Sequence, residues 1–127
     1  MLKAKDIVNR DFVTVSSNAD VRKISALLIK NRMSGLPVVE KGAKLVGFVS
    51  ERDIIAAVAT SKNVLKKKAR DIMTKKVVSV KENALVEQVT KIFTEKPFRY
   101  IPVTRNDALV GIISRKQVIN RLLGHYY

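Results

Sequence analysis

Shifted by 65 residues, the chain lines up with itself. The offset pairs Asp6-Ile7 with Asp71-Ile72, Val13 and Val15 with Val78 and Val80, Asn18-Ala19 with Asn83-Ala84, and Pro37-Val38 with Pro102-Val103. Past the prolines it drops to 64, pairing Leu45-Val46-Gly47 with Leu109-Val110-Gly111, Ser50 with Ser114, and Ile55 with Ile119. The lost residue falls between Val38 and Leu45, where one copy reads Glu40-Lys41-Gly42-Ala43-Lys44 and the other Arg105-Asn106-Asp107-Ala108. Length changes of this kind belong at hairpin tips. Two divergent copies of a unit of about 60 residues therefore organise the chain.

Each copy reads β-α-β-β-α. Residues 12–15 alternate and are rich in β-branched side chains, which predicts a strand. Asn18 is placed to cap a helix whose apolar positions Val21, Ile24, Leu27 and Leu28 share one face, with Gly35 as its stop. Strands at 36–39 and 45–49 turn around Gly42, and Ser50 starts a second helix running from 51 to about 60. Residues 61–70 read as a basic linker. The second copy repeats the order with a strand at 77–80, a helix from 83 to about 96 stopped by Pro97, strands at 100–104 and 108–113, and a helix from 114 to 123. The expected repeats are thus 6–60 and 71–123, with 124–127 as a tail. One such unit is too small to bury its apolar faces well, so the expectation is an α/β (α+β) body of two repeats related by approximate two-fold symmetry.

The 127 residues are 46% hydrophobic and 28% charged, a balance that favours a folded chain over disorder. There is no cysteine, which suits a reducing cytoplasm. The longest apolar run, 54–59, is far below the ~20 residues that span a bilayer, and residues 1–6 lack the apolar core of a signal peptide. A soluble, cytoplasmic protein is expected. The net charge is +14 and the pI about 10.3, which favours anionic partners. The densest run is Lys66-Lys67-Lys68 with Arg70, followed by Lys75-Lys76. Most such charge is solvated surface, and lysine-rich surfaces also occur in heat-adapted proteins.

The turn Gly47-Phe48-Val49-Ser50-Glu51-Arg52-Asp53 recurs as Gly111-Ile112-Ile113-Ser114-Arg115-Lys116-Gln117. Ser50 and Asp53 have the spacing of a capping box, contributing ~1 kcal/mol. Ser114 and Gln117 suit that role equally, because Gln also serves in a capping box.

Asp71-Ile72-Met73-Thr74, the strands Leu36-Pro37-Val38-Val39 and Ile101-Pro102-Val103, and Leu-Val-Gly-x-x-Ser before a helix together resemble tandem CBS domains (a CBS pair, or Bateman module) over nearly the whole chain. The resemblance implies a regulatory module, not an enzyme, that binds adenosine derivatives in clefts between the repeats and dimerises into a disc of four repeats. It requires no cofactor; an adenine nucleotide (AMP, ADP or ATP) would be its regulatory ligand, which points to energy sensing. In the family pattern the Asp of this turn holds ribose, and the Ser contacts ribose or phosphate. A carboxylate offers two acceptors to a cis-diol, in charge-assisted bonds worth roughly 1.5–3 kcal/mol each. Ser50 and Asp53 match, and so does Ser114. Gln117 departs, which implies one competent site and one weak, altered or empty site. The resemblance further implies an adenine wall at Val77 and Val78 and phosphate contacts at Arg99 and Lys116. Ser34 is the polar counterpart of Arg99, and the strand prolines Pro37 and Pro102 belong to the same motif. For Arg99 and Lys116 the competing reading is plain surface charge.

Catalysis has little support in the residues. The only histidine, His125, stands in Gly124-His125-Tyr126-Tyr127 and reads as tail. Neither a cluster of metal-ligand type nor a Walker or GxGxxG motif occurs. The alternatives are a basic nucleic-acid-binding protein using the 66–76 lysines, against which stands the lack of an aromatic stacking pattern, and a degenerate CBS pair acting only as a dimerisation scaffold. The regulated protein partner is not identified by the sequence.

Overall fold

The computed structural model describes residues 1–124, and its fold is mixed α/β. In chain order the elements are α1 (Ala4–Ile7), β1 (Val15–Ser16), α2 (Val21–Asn31), β2 (Gly35–Glu40), β3 (Lys44–Ser50), α3 (Glu51–Thr60), α4 (Ala69–Ile72), β4 (Val80–Lys81), α5 (Val86–Glu95), β5 (Tyr100–Arg105), β6 (Ala108–Ser114) and α6 (Arg115–Leu123). Short 3₁₀ turns lie at Lys41–Ala43 and Val64–Lys66. His125, Tyr126 and Tyr127 lie outside the described residues, so the tail reading rests on sequence alone. Among the described residues no helix is long and apolar enough to cross a membrane.

The described residues form two compact units, one of Val13–Val77 and one of Met1–Phe12 with the chain from Val78 onward. We refer to them as the first-copy and second-copy units, after the repeat that supplies their sheets. Each copy is led by a short helix absent from the β-α-β-β-α expectation, and that helix packs in the unit of the other copy. Ala4 and Ile7 of α1 are buried with Val86, Val89, Ile101 and Ile113, whereas Ala69 of α4 is buried with Ile24, Leu36, Val38 and Val49. The segment read as a basic linker carries the Val64–Lys66 turn and the start of α4.

Each unit holds a three-stranded sheet. In the first-copy unit β2 and β3 form an antiparallel hairpin and β1 runs parallel to β2; in the second-copy unit β5, β6 and β4 do the same. Both hairpins shift register at the same place, between Val38 and Val39 and between Val103 and Thr104. Their tips account for the change in offset. Three residues separate Glu40 from Lys44, with Gly42 and Ala43 at φ 77° and 61°; two separate Arg105 from Ala108, with Asn106 and Asp107 at φ 51° and 67°. Positive φ at both central residues is the requirement of the two-residue hairpin turn that matches strand twist.

The leading strands are shorter than 12–15 and 77–80 suggested. Parallel pairing covers only Val15–Ser16 against Val38–Val39 and Val80–Lys81 against Val103–Thr104. In each case it begins one residue after the proline of the neighbouring strand, which has no N–H to give the ladder. The other departures concern helix ends. Asp20, not Asn18, caps α2, accepting from the Lys23 N–H at 2.8 Å; Asn18 instead accepts from Arg70. The α2 helix stops at Asn31 with Arg32 in the left-handed region (φ 53°), so Gly35 is free to open β2, where a Cβ would stand 3.1 Å from Phe48 Cζ. The α5 helix starts at Val86 rather than near Asn83, with the Gln88 side chain accepting from the Leu85 N–H at 3.1 Å.

The short helices dock by the same hydrogen bonds in both units. The Ala4 N–H donates to Ala84 O and the Ala69 N–H to Ala19 O, both at 2.8 Å; the Lys5 N–H donates to Glu82 O at 2.9 Å and the Arg70 N–H to Ser17 O at 3.0 Å. The chain leaving each helix then lies against the third strand, pairing Asn9 with Ile112 and Thr74 with Phe48. That approach requires Gly111 and Gly47. A Cβ on Gly111 would lie 2.7 Å from Asn9 O, and one on Gly47 2.9 Å from Met73 Cγ and 3.1 Å from Thr74 O.

Candidate functional site

At the head of α3, β3 ends at Ser50 in extended conformation and the chain turns directly into helix. The capping box closes fully. The Asp53 N–H donates to Ser50 Oγ at 3.3 Å, and Asp53 Oδ2 accepts from the Ser50 N–H at 2.8 Å and from Ser50 Oγ at 3.0 Å. Both bonds to the half-buried carboxylate fall on Oδ2; among the described residues none falls on Oδ1, and no cation pairs with Asp53. The carboxylate is thereby fixed through one oxygen while the other keeps its acceptor capacity. A fixed anion with a spare acceptor can take a hydroxyl donor in a charge-assisted bond.

The head of α6 is built on the same backbone but closes only half the box. The Gln117 N–H donates to Ser114 Oγ at 3.0 Å, but the Gln117 side chain does not reach back to the Ser114 N–H. The equivalence expected of the two turns therefore fails at this bond, although Gln88 shows that Gln can make it. A shorter, charged Asp at the third helical position holds its strand end more strongly than a neutral amide.

The remaining candidates fall into place unit by unit. In the first-copy unit the Glu51 N–H donates to Ser34 O at 2.9 Å, which brings Ser34 to the start of α3 beside Ser50. In the second-copy unit the Arg115 N–H donates to Arg99 O at 3.3 Å, so Arg99 meets the start of α6, where Ser114 and Lys116 stand. Arg99 and Lys116 are both exposed. Sequence reasoning did not find these two backbone ties; the signal was the near-equal spacing from Ser34 to Ser50 and from Arg99 to Ser114. Val77 is half-buried and ends the first-copy unit; Val78 is exposed and opens the second stretch of the second-copy unit, and both precede β4. Pro37 and Pro102 are fully buried within β2 and β5, opposite Phe48 and Ile112. Among the described residues no group of three or more histidines and carboxylates is placed to hold a metal ion.

Among the described residues one ion pair forms, at the far end of the second-copy sheet. Arg105 donates from Nε to Glu82 Oε1 at 2.6 Å and from Nη2 to Oε2 at 2.9 Å. These bonds hold the Glu82 carboxyl below the usual carboxylate range and raise the guanidinium of Arg105. The equivalent pair in the first-copy unit is Ser17 donating to Glu40.

A model of the CBS domain matches residues 4–60 and again 69–124. The uncharacterized protein YlbB of Bacillus subtilis is 34% identical over 115 residues, covering 90% of this chain and 78% of its own length. Inosine-5'-monophosphate dehydrogenase of Methanocaldococcus jannaschii is 32% identical over 120 residues, 94% of this chain but only 23% of that enzyme. Among solved structures, CBSX2 in complex with AMP matches with a TM-score of 0.88 at 25% identity over 100% of both chains. The CBS domain pair of protein MJ0100, in complex with 5'-methylthioadenosine and S-adenosyl-L-methionine, matches with a TM-score of 0.82 at 30% identity over 100% of this chain and 99% of that one. The chain belongs to the CBS domain family and carries the domain twice.

Proposed function

We propose that this CBS pair is a non-enzymatic regulatory module that senses an adenosine-containing ligand, with Ser50 and Asp53 receiving the ribose. The observation that carries the reading is the Asp53 carboxylate, held through Oδ2 with Oδ1 left to accept. Two structural relatives that bind AMP, or 5'-methylthioadenosine and S-adenosyl-L-methionine, support adenosine as the common part of the ligand. AMP, ADP and ATP are the first compounds to test. By the family pattern Val77 and Val78 would meet the adenine, and Arg99 and Lys116, with Ser34 and Ser114, the phosphates. A cytoplasmic location and homodimerisation belong to the same reading. For the latter, α3 exposes Ile55 and Val58, and α6 exposes Ile119 and Leu123. Exposed aliphatic side chains on these helices, with Ile55 and Ile119 at matched positions, suit a self-complementary apolar interface.

A ligand shifts a module only by its differential affinity for two states, so a partner or second conformation completes the function. Thermal melting with AMP, ATP, S-adenosylmethionine and NAD tests the binding step. Ligand at 100 times its dissociation constant stabilises the fold by about 2.7 kcal/mol. A melting temperature unmoved by every adenosine compound overturns the sensor reading.

A further inference from the structure

We propose that the first-copy unit carries a docking surface for the phosphate backbone of duplex nucleic acid, built where residues 66–70 lie across the start of α2. This surface shares no residue with the Ser50–Asp53 turn and does not depend on nucleotide sensing.

The Val64–Lys66 turn packs on α2, the Val21 N–H donates to Lys67 O at 2.8 Å, and Asp20 pairs with Lys68. These contacts set Lys66, Lys67, Lys68 and Arg70 beside Arg22 and Lys23. Five of the six are exposed; Lys68 is half-buried and donates from Nζ to Asn18 O at 3.4 Å. The carboxylates nearby, Asp20 and Asp71, both accept backbone N–H groups, at 2.8 Å from Lys23 and 2.9 Å from Lys68. Among the described residues none of these six cations is in an ion pair.

The second-copy unit supplies an internal control. Its Val86 N–H donates to Leu2 O at 3.0 Å and Leu85 pairs with Lys3, so the two places correspond residue by residue. There the positions of Arg22, Lys23, Lys66, Lys67, Lys68 and Arg70 hold Glu87, Gln88, Met1, Leu2, Lys3 and Lys5. Six cations with two carboxylates stand in one unit where two cations with two carboxylates stand in the other. A surface charged merely for solubility has no reason to differ so sharply between copies of one fold. Arg22 and Lys23 also sit in the first turn of α2, against the helix macrodipole, whereas α5 carries Glu87 there. Cations retained where the helix itself disfavours them point to an external anion.

The chemistry of the patch selects the anion. Single-stranded nucleic acid is held by stacking on aromatic side chains; the only aromatic residue between 13 and 77 is Phe48, whose ring lies against Gly35. Firm attachment to a membrane adds an inserted apolar face to the attraction of cations for anionic lipid, and Leu65 is the one exposed large apolar side chain of the run 62–70. A protein partner calls for an apolar or aromatic centre with cations at the rim, which the patch lacks. A dense row of phosphates needs neither, and lysine-rich surfaces serve it.

The test compares two variants of equal net charge in the full chain. Arg22→Gln/Lys23→Gln/Lys66→Gln/Lys67→Gln removes four exposed cations of the patch, and Lys41→Gln/Lys44→Gln/Lys81→Gln/Lys91→Gln removes four exposed cations elsewhere. Binding of short mixed-sequence DNA and RNA duplexes is read by fluorescence anisotropy between 50 and 200 mM salt. With six phosphate contacts the parent should lose affinity by about 10³-fold over that range, and with two remaining by only about tenfold. The patch variant should bind weakly with the shallow salt dependence, and the control variant should behave as the parent. Both should keep the parent's circular dichroism spectrum; if the quadruple patch variant does not, Lys66→Gln/Lys67→Gln alone should give an intermediate salt slope. Equal weakening in both variants, or no duplex binding by the parent at 50 mM salt, overturns the proposal. So does patch-dependent binding to polyglutamate or to phosphatidylserine vesicles without duplex binding, which would assign the surface to an acidic protein or a membrane.

Discussion

At the heads of α3 and α6 the two units start the same helix with different chemistry. Both use a serine cap. Asp53 returns two bonds through one carboxylate oxygen, and Gln117 returns none. A Gln at this helical position can close the box, as Gln88 does, yet Gln117 leaves its own open. The difference shows that one backbone motif starts a helix in both copies while a carboxylate with a spare acceptor oxygen stands in one. The ends of β2 and β5 repeat the lesson, with Ser17–Glu40 standing where Glu82–Arg105 forms a bidentate ion pair. Divergence has changed the side chains and left the hydrogen-bonded frame intact.

The largest expected effect breaks the crossed packing of the leading helices. Ile7 is fully buried in the second-copy core, whereas Ile72 is only half-buried in the first. Ile7→Ala should cost about 2–5 kcal/mol in chemical denaturation, and Ile72→Ala clearly less. Equal costs would show that α1 and α4 are interchangeable supports. Next come the glycines. Gly111→Ala should destabilise by about 1–3 kcal/mol, and more than Gly47→Ala, because a backbone oxygen of Asn9 yields less readily than the flexible Met73 side chain. The opposite order in thermal melts would contradict the close-approach account.

A pH series separates the sheet ends. Glu82 lies below its ordinary value of 4.5 in the folded chain, chiefly through its hydrogen bond to Arg105, with Lys5 and Arg10 adding to the effect. A depressed carboxyl contributes stability above its unfolded value that is lost as pH falls through the folded one. The gap in melting temperature between the parent and Arg105→Gln should therefore be open at neutral pH and close below 4.5. A gap independent of pH would remove the ion pair from the account. The smallest effect is at the hairpin tips. Ala43 holds φ 61°, so Ala43→Gly should stabilise slightly, by roughly 0.5 kcal/mol. A loss of stability there would place the tip's conformation elsewhere.

Much of this was legible in the chain itself. The offset of 65 falling to 64 located the hairpin tips, and Ser50 with the run after it gave α3 its observed limits. Helix ends were read less well, because Asn18 and Asp20 offer the same capping chemistry two residues apart and only tertiary contacts decide; Arg70 takes Asn18, leaving the helix to Asp20. The leading strands were overread because β-branching says nothing of where a neighbour's proline lets pairing begin. The leading helices were missed because four residues are too few to show a helical period. The Ser50–Asp53 spacing was visible, but the hydrogen bonds that load one carboxylate oxygen and leave the other were not.

The difference between Asp53 and Gln117 is tested most directly by the ligand-induced shift in melting temperature of three chains: the parent, Asp53→Asn and Gln117→Ala. Asp53→Asn keeps the size of the side chain and an oxygen for the cap while removing the charge. The prediction is a shift with an adenosine nucleotide in the parent, the same shift in Gln117→Ala, and a shift lost or much reduced in Asp53→Asn. A full shift in Asp53→Asn together with its loss in Gln117→Ala would contradict the assignment and move the preferred site to the other copy.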